Sequence, residues 1–249
     1  MDSHEALRLL TSFRTISTEC TQYWESLPSH LRYEMYDDDS AWHRLGAGIT
    51  VRLISAYLEY LHTHFQIQRL LQRQTQHALP ALLGVSLKLL STALVFTKPL
   101  NGPYETRRHF ATVIMFYCFP AAGVLALELR KSTIEGVPLP DTVFRADVIR
   151  NLSVLTSSLE WLILPGDGNH KLCTELNKML ALVLDEVLNY EPPPTGSNLG
   201  SEVGNMAPVT GPGFFDIPML DGMEPIPTQA EDFLTWLDGA AWNNTQDLF

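Results

Sequence analysis

The amino-acid sequence predicts an all-α protein: a multi-helix body over residues 1–190 and a disordered acidic tail over 191–249. Three observations carry this reading. Apolar residues recur at three- and four-residue steps through six stretches, the spacing that lines one face of a helix. No convincing alternating run of the kind that makes a strand is present. Composition also breaks at Pro192-Pro193-Pro194: all Lys and Arg lie before it, while residues 191–249 hold nine Asp and Glu and eight of the 16 prolines.

The helices follow in order. Over residues 3–25, Leu7, Leu10, Phe13, Ile16, Cys20 and Tyr23 or Trp24 form a stripe. Pro28 and Asp37-Asp38-Asp39 interrupt the pattern. A second helix fits 41–74, with Leu53, Tyr57, Tyr60 or Leu61, His64, Ile67 and Leu71 as its stripe. Gly46 and Gly48 weaken its start, each costing about 1 kcal/mol against Ala inside a helix. A third fits 80–97, with Pro80 tolerated in the first turn. A fourth fits 106–131 and is expected to kink at Pro120, which removes a backbone donor. A fifth fits 142–164. A sixth fits 169–189, after the turn Pro165-Gly166-Asp167-Gly168.

Residues 110–127 carry no charge, and 80–96 carry only Lys88. A membrane hairpin is one reading of this pair. Two central core helices, apolar all round because other helices surround them, is the preferred one. A mid-membrane Lys would cost about 2.5–3.5 kcal/mol, and the other helices are plainly amphipathic.

Several chemistries are disfavoured. A net charge of −11 makes the chain a poor binder of phosphate backbones. Cys20, Cys118 and Cys173 are too few and too scattered for a disulfide framework or a zinc site. His62 and His64, two apart, diverge on a helix and read as satisfied core or surface side chains. His170 and Cys173 make at most half a metal site. Gly166-Asp167-Gly168-Asn169-His170-Lys171 lacks the phosphate-loop spacing and reads as a helix start. The sharpest enzyme alternative is a metal-dependent terpene cyclase, with Asp37–Asp39 and the set Ser153, Thr156, Glu160 as magnesium ligands. Ser153 is a poor donor for a hard cation, and the acidic run reads as a solvated turn. We therefore expect no catalytic, metal or cofactor site.

The tail is more informative. Phe214 and Phe215 precede Asp216 in a run where bulky apolar residues alternate with acids. Thr228-Gln229-Ala230-Glu231 has the form of a capping box and opens a short helix closed by Gly239. Phe233, Trp236 and Leu237 then share one face, at i, i+3 and i+4. Such a helix is too short to be stable alone. It is expected to fold in the apolar groove of a coactivator or mediator-type protein, anchored by Phe233, Trp236 and Leu237, with Phe214 and Phe215 as a weaker second contact. The alternative is that it docks on the body of its own chain.

The chain resembles the C-terminal half of fungal zinc-cluster transcription factors. The resemblance rests on Ser26-Leu27-Pro28-Ser29-His30-Leu31-Arg32-Tyr33, on His62-Thr63-His64-Phe65-Gln66-Ile67-Gln68-Arg69-Leu70-Leu71, and on residues 165–173 with the helix after them. The acidic end over 232–242 is similar to those regulators' C-termini. The resemblance implies an all-α regulatory domain of the middle-homology-region type, a nuclear location and control of a metabolic or biosynthetic gene cluster. Members of that family carry a six-cysteine binuclear cluster, which this sequence lacks. Direct contact with nucleic acid is therefore not expected. Two routes remain open to such a regulator: pairing with a full-length relative that binds DNA, or competing for that relative's coactivator.

Overall fold

The computed structural model describes residues 3–35, 45–97, 113–162, 170–191, 230 and 232–237. Helices dominate, and no strand occurs among the described residues. The all-α expectation is met.

Helix α1 (Ser3–Ser26) lies along α2 (Ala47–Gln74), with two single turns of 3-10 helix, Ser29–Leu31 and Tyr33–Met35, between them in sequence. A further 3-10 turn, Gln76–Ala78, leads into α3 (Leu79–Ala93), which tightens into 3-10 helix over Leu94–Thr97. A π-helical turn, Ile114–Cys118, runs into α4 (Phe119–Glu135). Helices α5 (Arg145–Leu162) and α6 (His170–Leu188) complete the body. Helix α3 packs on α2 and α4, and α4 in turn packs on α6 and α5. The two apolar helices read from the sequence are thus the centre of the bundle. Leu79–Phe96 is long and apolar enough to cross a membrane, yet 56% of it is buried inside this bundle.

Helix α2 shows why two elements were needed to cover it. Tyr57, Tyr60, His64, Ile67 and Leu71 face α1. Trp24 stacks on Tyr60 at 4.7 Å and on Tyr57 at 5.5 Å, and Leu10 and Phe13 pack against Ile67 and Leu71. The adjoining face, Ile54, Leu58, Leu61 and Phe65, is more deeply buried and enters the main core. Most of the stripe read from the sequence is the α1-facing one; Leu53, and Leu61 given as an option, belong to the main core. In α1, Trp24 takes the inward position and Tyr23 is exposed. Ile16, expected inward, is also exposed.

Pro120 acts through the turn before it. A proline cannot donate to the carbonyl four residues back and collides with it. The π turn widens the preceding backbone, and the Phe119 amide donates to the carbonyl of Ile114, five residues back. Where the sequence leads one to expect a kink, the helix carries this π turn. Two glycines set helix ends. Gly46 precedes α2 with φ +75°, and Gly136 ends α4 with φ +67° in the left-handed cap position. Helix α4 therefore runs four residues past the expected end at Lys131.

Polar links tie the helices together. Arg130 donates to both carboxylate oxygens of Glu186, at 2.5 and 3.2 Å, joining α4 to α6. Arg145 donates to Thr133 Oγ1 and to the Val187 carbonyl, fixing the start of α5 on both. Trp24 Nε1 donates to Glu34 Oε1 at 2.6 Å.

Candidate functional site at the docked tail helix

Residues 232–237 form a short helix, as the capping pattern predicts, and it is docked on the body. Phe233, Leu234 and Leu237 are 0%, 1% and 3% exposed and belong to the main core. Ala230 and Trp236 pack at its margin, Trp236 beside Phe233 at 6.0 Å. Of the two courses open to this segment, folding in a partner's groove or docking on its own body, the structure shows the docked one. The physical cause is an apolar side chain set with a complementary seat within reach.

Helix α4 makes that seat. It does so at Gly123, within a stretch of small buried residues, Ala121, Ala122, Gly123 and Ala126. A Cβ placed on Gly123 would fall within 3.0 Å of three atoms of the Phe233 ring. The ring therefore rests where every other amino acid would project a side chain. At the far side, Arg73 in the last turn of α2 donates from Nη2 to Thr235 Oγ1 at 3.2 Å. The tail helix is thus held by α4 and by the end of α2.

The buried face is not the one read from the sequence. Positions 230, 233, 234 and 237, at i, i+3, i+4 and i+7, face the body. Trp236 stays half-buried at the edge, and Asp232 and Thr235 are exposed. Leu234 was missed because it sits one residue from Phe233, and a six-residue helix with four large apolar residues supports two overlapping faces. Gly123 was missed as a contact. Its signal was present, since a glycine inside a strong helix pattern usually has a packing reason. Phe214 and Phe215 lie outside the described residues, as do Thr228 and Glu231 of the capping box.

The remaining residues singled out in the sequence lie as follows. His62 and His64 do point apart. His62 Nε2 lies 3.0 Å from Gln66 Nε2, and its ring meets Tyr117 edge-on. His64 lies 3.3 Å from Ser17 Oγ and 3.4 Å from Thr21 Oγ1. Burial lowers the pKa of both. Tyr117, on the π turn, donates to Glu59 Oε1 at 2.6 Å, and burial followed by that carboxylate raises its pKa. Burial pushes Tyr57 up to about 12. Cys118 and Cys173 are buried and Cys20 is half-buried, and none of the three is in a disulfide. Burial raises the pKa of Cys118 far above the ordinary thiol range, so it is held as an unreactive core group. Ser153 and Thr156 donate to carbonyls of their own helix, from Ile149 and Ser153. Asp37–Asp39 and residues 163–169 lie outside the described residues. Among the described residues no group of three or more His, Cys, Asp and Glu is placed to hold a metal ion.

No family model, curated protein or solved structure matches the chain.

Proposed function

We propose that the chain is a non-enzymatic transcriptional regulator of the kind its sequence resembles. On this reading the helical body is a regulatory domain and residues 191–249 are an activation tail that recruits a coactivator or mediator-type protein in the nucleus. The observation that carries the proposal is the helix 232–237. It places Phe233, Trp236 and Leu237 on a short amphipathic element, between Glu231-Asp232 and Asp238, in a stretch without one basic residue. Aromatic anchors give a partner apolar contact, and the surrounding acids steer them to a basic surface. Phe214 and Phe215 supply the weaker second contact. On this reading a full-length relative that binds DNA targets the chain to a promoter.

The test is a reporter assay with residues 191–249 fused to an unrelated DNA-binding domain, beside the triple Phe233→Ala, Trp236→Ala, Leu237→Ala variant. Activation that the triple variant loses supports the proposal. Silence from both constructs removes it.

A further inference from the structure

We propose that the body masks its own activation tail: the Gly123 seat on α4 and the coactivator compete for the same side chains of helix 232–237. The inference rests on the functional reading above and adds its regulation. Two of the three proposed anchors, Phe233 and Leu237, are 0% and 3% exposed in the docked form. A partner cannot bury them while the body does. Trp236 alone is partly open to solvent, which leaves one anchor for a first encounter. A partner that holds the released helix tightly enough draws it off the seat. Its apparent affinity is reduced by the fraction of chains already released.

The contact has two sides that can be altered separately. Gly123→Ala adds a methyl group where the Phe233 ring lies, and it favours α4 itself, since Ala is the better helix former. Leu234 is 1% exposed in the dock but lies outside the anchor set, so Leu234→Ala weakens docking and keeps Phe233, Trp236 and Leu237.

The experiment compares the full chain, Gly123→Ala and Leu234→Ala, each fused to the unrelated DNA-binding domain, with residues 191–249 alone in the same fusion. Hydrogen exchange at the amides of residues 233–237 is followed in the unfused full chains. Masking predicts that both variants exchange faster there and that both raise reporter output, on the order of tenfold, toward the level of the isolated tail. Agreement between the two variants separates release from misfolding of the body. Faster exchange with unchanged output overturns masking and leaves the activation reading intact, as does a full chain already as active as the isolated tail. Unchanged exchange in both variants shows that the Phe233–Gly123 contact does not hold the helix, and also overturns it. An inactive isolated tail removes the activation reading, and masking with it.

Discussion

Phe233 rests directly on Gly123, so an aromatic ring from near the end of the chain takes the place of the side chain that the central helix lacks. A core residue contributed this way need not behave like one contributed by the bundle.

Phe119 and Phe233 are both fully buried, at 1% and 0% exposure. Phe119→Ala is expected to cost about 3–5 kcal/mol, the usual result of emptying a core site. Phe233→Ala is expected to cost about 2 kcal/mol or less, because release of the tail helix leaves the body folded and caps the loss. Urea unfolding followed by circular dichroism measures both. Equal losses would mean that the tail helix and the body fold as one cooperative unit.

The start of α2 offers a matched pair. Gly46 has φ +75° and ψ 158°, a region open to glycine and strained for other residues, and Gly48 lies within the helix. Neither has an atom within 4 Å of its would-be Cβ, so packing drops out of the comparison. Gly46→Ala should destabilise by about 1–3 kcal/mol. Gly48→Ala should stabilise by about 0.4–1 kcal/mol. Thermal melts of the two variants should shift in opposite directions.

Acid should weaken the fold through His62 and His64. Burial lowers both below the ordinary 6.5, so the unfolded chain binds protons more readily. Their contribution is fully present above about pH 6.5 and is lost as pH falls through the lowered folded-state values. Glu128 has the opposite sign. Burial raises its pKa above 4.5, so its contribution is present below that value and is lost as pH rises through the raised one. Stability measured from pH 7 to pH 5 should fall in the wild type and fall less steeply in His62→Gln and in His64→Gln. An identical slope in both variants would assign the acid sensitivity to other groups.

The Arg130–Glu186 pair joins α4 to α6 with two hydrogen bonds, and its side chains are 21% and 31% exposed. A double-mutant cycle with Arg130→Ala and Glu186→Ala should give a coupling of about 1 kcal/mol, the upper end for partly exposed pairs. Raising the salt concentration should shrink it. A coupling near zero would leave apolar packing as the tie between these helices.

Much of the body could be read from the chain, because helix periodicity and proline are local signals. The extents of α1, α3 and α5 lie close to those expected. The misses share a cause. Gly136 was not recognised as the cap of α4, because apolar spacing fades before the helix ends. The Ile54, Leu58, Phe65 face of α2 was missed because a helix buried on two sides shows two overlapping stripes. At the candidate site, the helix was legible from Thr228, Glu231 and the spacing of its aromatics. Its seat was not, since nothing local relates Gly123 to Phe233. Periodicity shows that a face is apolar and leaves open what covers it.

The bond from Arg73 to Thr235 spans 162 positions, and Gly123 also precedes its occupant by most of the length of the body. Ribosomes deliver chains from the N-terminus at roughly 5–20 residues per second, and domains fold as they emerge. The α4 seat is therefore made several seconds before Phe233 exists. Each newborn molecule passes through an interval with an empty apolar seat, in which chaperones or the tail of a neighbouring chain on the same message can reach it first.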